Sequence, residues 1–132
     1  MSERRISIER EVDIIAARQA GRQLAVQLGF SSTDQTLIAT AISEVARNIL
    51  IYAQRGEIVL DHVVEGARNG ICVIAADQGP GIENIELALR DGYSTKNSLG
   101  LGLPGARRLM DDFDLASELG QGTRVTMKKW KR

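Results

Sequence analysis

The sequence predicts an α+β fold: a two-layer sandwich whose mixed, mostly antiparallel sheet carries helices on one face. Three observations predict it. Stretches with apolar residues at helical spacing alternate with short β-branched runs in the order β-α-α-β-β-α-α-β-β. Neighbouring strand pairs are joined by brief glycine-containing links, as antiparallel hairpins require. The 132 residues, 43% hydrophobic and 26% charged, suffice for one core and not for two, so a single domain over 1–132 is expected.

Arg4 to Arg10 alternates, with Ile6 and Ile8 on one side, and reads as a first strand. From about Val12 to Leu28 apolar residues recur at helical spacing, and Gly29 supplies the stop. Ser32-Thr-Asp-Gln35 reads as a capping box, with Ser32 as N-cap, for a helix running to about Tyr52 or Ala53. Its broad stripe of Leu37, Ile38, Ala41, Ile42, Val45 and Ile49 marks the central buried helix. Glu57 to Glu65 and Ile71 to Ala76 form a strand pair turning within residues 66–70, where Asn69-Gly70 is a hairpin cue. A short helix over 84–90, a loop over 91–99 and a helix from Leu103 to about Asp112 come next. Strands 114–119 and 123–130 close the chain, turning at Gly120-Gln-Gly122.

Charge excludes several classes of partner. Lys plus Arg (17) equals Asp plus Glu (17), so no bulk field draws the chain to nucleic acid or to an anionic membrane. The basic end Lys128-Lys129-Trp130-Lys131-Arg132 reads as a strand end and solvated tail. Met1 to Arg10 carries five charges and no apolar core, so no signal peptide is expected there. No apolar run approaches the roughly 18 residues that span a bilayer. The single cysteine, Cys72, forms neither a disulfide framework nor a metal cluster. A cytoplasmic protein is expected.

Three short segments carry the chemistry. In Glu44-Val-Ala-Arg-Asn48 a carboxylate and an amide share one helical face. Asn48 offers a neutral oxygen to Mg²⁺, and Glu44 can polarise a hydroxyl attacking a γ-phosphate. The same residues also read as the solvated side of an amphipathic helix. In Asp77-Gln-Gly-Pro-Gly81 a strand-end carboxylate can meet an exocyclic amine, while Gly79 and Gly81 permit close backbone approach. A plain β-turn uses the same residues. In Gly100-Leu-Gly-Leu-Pro-Gly105, glycines precede a helix whose amino end favours an anion, and Pro104 suits a helix start. The spacing is not that of a Walker loop, and although the glycines fall as G-x-G-x-x-G they follow an expected loop and not a strand.

The three segments in this order resemble the GHKL (Bergerat-fold) ATPase superfamily, over nearly the whole chain. The stretches 41–48, 91–95 and 102–111 are similar in detail to the switch serine/threonine kinases of bacterial stressosomes, near the anti-sigma-factor kinases. The resemblance implies the ATP-binding α+β sandwich, with ATP and Mg²⁺ as ligands. It implies Asn48 as the metal ligand, Glu44 as catalytic base and Asp77 as the adenine contact. Gly79 and Gly81 would shape the pocket under the base, and Gly100, Gly102 and Gly105 would close over the phosphates. Thr123 would support the contact between Asp77 and adenine, and also reads as an ordinary strand threonine. Lys96 would reach the γ-phosphate or stand as a solvated loop lysine.

Departures from the family are as informative. Tyr52 stands where many relatives carry His or Lys, the presumed lid over 91–99 is short, and no phosphoacceptor-histidine helix pair is visible. The only histidine, His62, falls in a strand pattern and is expected to be structural. The function implied is a serine/threonine kinase acting on STAS-domain proteins of a stress-response partner switch, which on release binds and activates a PP2C-type phosphatase. The alternative is an anti-sigma factor with kinase activity toward its own antagonist. A binding module that uses ATP only to order its lid is a third reading, and retention of both Glu44 and Asn48 argues against it.

Overall fold

In strand β1 (Arg4–Ile8) the alternation turns Ile6 and Ile8 toward the helices. The computed structural model describes residues 3–81 and 102–132. Helix α1 (Glu11–Gln27) starts where the Asp13 carboxylate accepts the backbone N–H groups of Glu9 (2.9 Å) and Arg10 (3.0 Å). Those two donors hold the Asp13 carboxyl below its usual range. The helix ends in a Schellman turn: Gly29 takes φ +85°, its N–H reaches Val26 O, and Phe30 N–H reaches Ala25 O.

That turn decides where helix α2 (Ser32–Tyr52) begins. Ser31, which follows it in extended conformation, becomes the N-cap, its Oγ accepting Asp34 N–H at 3.1 Å. The capping box expected on Ser32 and Gln35 does not form, because Ser32 is already helical. Gln35 instead donates its side-chain amide to Phe30 O at 2.9 Å. The stripe of α2 is buried as expected, with Ile38, Ala41, Ile42 and Val45 at most 1% exposed.

Strands β2 (Gly56–Glu65) and β3 (Arg68–Asp77) pair antiparallel across a tighter turn than expected, with Glu65 opposite Arg68. Gly66, at φ +59°, takes the first central position, where a type II′ turn asks for glycine. Asn69 and Gly70 lie inside β3, and the site of a Gly70 Cβ would fall 2.9 Å from the Trp130 ring. Gly70 therefore serves packing between strands and not the turn. The expected helix over 84–90 and loop over 91–99 lie outside the described residues.

Helix α3 (Gly102–Leu109) stops three residues short of expectation, and strand β4 (Asp112–Glu118) starts two residues early. The reason is local: Asp111 N–H pairs with Lys128 O, Asp111 Oδ2 accepts Trp130 N–H, and Asp112 Oδ2 accepts the Trp130 indole N–H at 2.8 Å. Strand β5 (Gly122–Trp130) completes a five-stranded sheet in the order β1-β2-β3-β5-β4. Every pairing among the described residues is antiparallel, so the mixed component of the expected sheet is not seen there.

The α1, α2 and α3 side chains pack with Ile8, Ile58, Leu60, Ile71, Val73 and Met127 into one core on a single face of the sheet. On the opposite face Cys72 is half-buried, and burial pushes its thiol up. Beside it along the sheet a groove of about 860 Å³ crosses the row Ser7, Glu57, Ala76, Arg124 and Ala116. Among the described residues, no helix is long and apolar enough to cross a membrane.

Candidate functional site

One register row positions the strand-end part of the site. Ile8, Gly56, Asp77, Thr123 and Ser117 lie side by side across the five strands, all on the helix face at one end of the sheet. Asp77 is the last residue of β3, so its carboxylate stands where the strand gives way to the glycine corner. Its Oδ1 accepts Gly79 N–H at 2.9 Å and Thr123 N–H at 3.2 Å. Oδ2 accepts from none of the described residues. The carboxylate is thus fixed through Oδ1, and Oδ2 keeps its lone pairs unused by the described residues.

Thr123, 8% exposed, reaches Asp77 through its backbone and not through its hydroxyl. The hydroxyl pairs with Ser117 Oγ at 2.9 Å, and Ser117 Oγ also donates to Gly122 O at 3.1 Å. Ser117 escapes sequence reading, since an isolated serine in an alternating strand carries no signal of its partner. The walls of the corner are main chain. Gly79 lies against Ala53 just past the end of α2, Gly56 against Ala76 O, and Gly122, at φ +115°, against the Asp77 carbonyl. Gly81, at φ +82°, lies against Glu118 O, and Gly120 N–H reaches Pro80 O at 2.8 Å, so the corner is docked on the β4–β5 turn.

Helix α2 brings the second part. Glu44 is 7% exposed, which removes it from the solvated helix face that its sequence neighbours also allowed. Its Oε1 accepts Gly102 N–H at 3.0 Å, across 58 residues, and its Oε2 lies 3.4 Å from Arg47 Nη1. Glu44 and the amino end of α3 are therefore in direct contact, which brings the first and third segments together. Asn48 lies one turn further along α2 and is half-buried. Gly105 is buried within α3, beside Leu103 and Ala106. Gly100 and Lys96 lie outside the described residues.

The donor set suits Mg²⁺ bound in the way that ion prefers. Among the described residues no group of three or more His, Cys, Asp or Glu side chains forms a cage. A single neutral oxygen from Asn48, with phosphate oxygens and water completing the shell, fits a cation that gives up its water reluctantly. His62 plays no part: it pairs with Asn69 at 3.0 Å, six residues along β2 from the Asp77 row.

A family model described as the histidine kinase-like ATPase domain matches residues 9–129. The chain belongs to this family. Among curated relatives, serine/threonine-protein kinase RsbT of Bacillus subtilis (strain 168) is 50% identical over 127 residues, covering 96% of each chain. The anti-sigma F factor of Clostridium kluyveri is 31% identical over 119 residues, covering 86% of this chain and 82% of the relative. That of Clostridium acetobutylicum is 34% identical over 109 residues, 75% and 76% of the two chains. As a histidine kinase-like ATPase domain related over its length to a named protein kinase, the chain is a kinase-type enzyme that uses ATP. The five-stranded antiparallel sheet with its three described helices is the α+β architecture expected of the family.

Proposed function

We propose that this chain is a cytoplasmic serine/threonine-protein kinase that transfers the γ-phosphate of ATP, with Mg²⁺, to STAS-domain proteins of a stress-response partner switch. Released from them, it binds and activates a PP2C-type phosphatase. The observation that carries the nucleotide site is Asp77, pinned through Oδ1 by two backbone N–H groups with Oδ2 unused among the described residues. The 50% identity to a serine/threonine-protein kinase supports the acceptor class.

In this reading Oδ2 of Asp77 accepts the exocyclic amine of adenine, and Gly79 lets the base approach the main chain. Gly100, Gly102 and Gly105 let the chain close over the phosphates, Gly102 with its own N–H held by Glu44, and Lys96 is the candidate for the γ-phosphate. Asn48 holds Mg²⁺, which neutralises charge on the phosphate oxygens. Glu44 takes the proton of the acceptor hydroxyl as its oxygen bonds to the γ-phosphorus and ADP departs.

The test is transfer from γ-labelled ATP with Mg²⁺ to a STAS-domain protein encoded beside this gene, with Asp77→Asn as control. Label on a Ser or Thr of that protein, absent in the control, supports the kinase reading. ATP binding without transfer to that protein favours a sigma-binding or ATP-gated module; the second reading proper is an anti-sigma factor with kinase activity toward its own antagonist. That reading draws on the 31% identity to anti-sigma F factors and on the exposed Val12, Ile15 and Val26 of α1. Neither binding nor transfer removes the nucleotide site altogether.

A further inference from the structure

Helix α3 is short and poorly suited to stand alone. Its eight residues, Gly-Leu-Pro-Gly-Ala-Arg-Arg-Leu, include two glycines and a proline, and an isolated helix of this length does not persist in water. Its two ends are held instead by buried charges from two different elements. At the amino end the Glu44 carboxylate, from α2, accepts Gly102 N–H at 3.0 Å. At the carboxyl end Lys129 of β5, 8% exposed, donates its ammonium to Leu109 O at 2.7 Å. The basic run at the chain end is therefore not simply a solvated tail. Each charge has the sign that the helix dipole favours at its end.

We propose that Glu44 and Lys129 are positioning residues that clamp α3 from both ends, and that this clamp sets the affinity of the site for nucleotide. The proposal rests on the nucleotide-site reading above and adds to Glu44 a task separate from proton transfer. Anchoring needs only an acceptor oxygen at the right reach, whereas proton transfer needs a carboxylate. Arg47, 3.4 Å from the second Glu44 oxygen, steers the same arm from one turn along α2. Lys129 acts on nucleotide only through the helix: Leu109 and Gly102 are seven residues apart, roughly 10 Å along the axis.

The experiment is calorimetric titration of the full chain and four variants with ADP and Mg²⁺, which takes transfer chemistry out of the comparison. Lys129→Met should weaken ADP binding about three- to tenfold and raise KM for ATP, with kcat of transfer within about twofold of the parent. A merely structural lysine would lower the unfolding temperature and leave KM alone. Glu44→Gln keeps the acceptor and should bind ADP within about threefold of the parent, while Glu44→Ala should bind about tenfold more weakly. Glu44→Asp, one methylene too short, should follow Glu44→Ala and replaces it if the alanine variant does not fold. Equal affinities across the Glu44 variants, or tighter binding by Ala or Asp than by Gln, overturn the proposal. So does an unchanged affinity in folded Lys129→Met. Failure of the parent chain to bind ADP is a different result, and it overturns the nucleotide site itself.

Discussion

Replacing Asp77 with Asn separates the structural work of this carboxylate from its work on a ligand. Asparagine retains an oxygen that can accept from Gly79 and Thr123, whose N–H groups lie 2.9 and 3.2 Å from Oδ1. Only the charge is lost, which costs under about 1 kcal/mol across the two bonds. Alanine removes both acceptors and leaves two half-buried donors, at about 1 kcal/mol or more each. Asp77→Ala should therefore unfold about 10 °C lower than the parent and Asp77→Asn less than about 5 °C lower. Toward a nucleotide the order of damage reverses in kind. The asparagine presents an NH₂ where Oδ2 stood, so a donor faces the exocyclic amine of the base. Losing a hydrogen bond to a charged acceptor, about 1.5–3 kcal/mol, weakens ADP binding roughly 10- to 150-fold. Thermal unfolding and titration calorimetry on the three proteins measure both quantities. Equal losses of stability in Asn and Ala, or normal ADP affinity in Asp77→Asn, would refute the division of labour between the two oxygens.

Three further substitutions probe the frame. Gly122→Ala puts a methyl group against the Asp77 carbonyl at φ +115°, and should cost about 3 kcal/mol in denaturant unfolding. Gly120→Ala, at φ +80° but facing open space, should cost only about 1 kcal/mol in the same measurement. Asp13→Ala removes a carboxylate whose folded pKa lies below its usual value because it caps the start of α1. The stability it contributes is present above the unfolded carboxyl pKa, near ~3.9, and is lost as pH falls through the lower folded value. The gap in unfolding temperature between parent and variant should thus be full at neutral pH and close below about pH 4.

What the sequence discloses follows from how local each signal is. The central helix was legible because Ile38, Ala41, Ile42, Val45 and Ile49 repeat within one segment, and all are buried. The segments bearing Glu44, Asp77 and Gly102 were legible because their spacing resembles a known family. Their mutual contacts were not, since the Glu44–Gly102 bond joins residues 58 apart. Short-range errors arose where two similar residues competed. Ser31 and Ser32 could each cap α2, and the Schellman turn at Gly29 and Phe30 decided between them. Asn69-Gly70 carried the stronger hairpin cue, yet Gly66 makes the turn because Gly70 must lie flat beside Trp130. Lys129 read as part of a polar tail because its partner, the Leu109 carbonyl, is a backbone atom with no signature in composition.

The glycines around the Asp77 corner bear on how this protein could be altered. Where Gly56, Gly79, Gly81 and Gly122 meet neighbouring main chain or Ala53, the outline of the corner is set by peptide planes and strand register. A library of side chains at those four positions would return mostly misfolded protein, whatever ligand was used for selection. On α2 the proposed Mg²⁺ contact ties down Asn48, whereas Tyr52, exposed near the end of the same helix, is a position where varied side chains leave the glycine corner untouched. Retuning for an analogue of the natural ligand therefore has one permissive position on the helical side, against a corner that tolerates almost nothing.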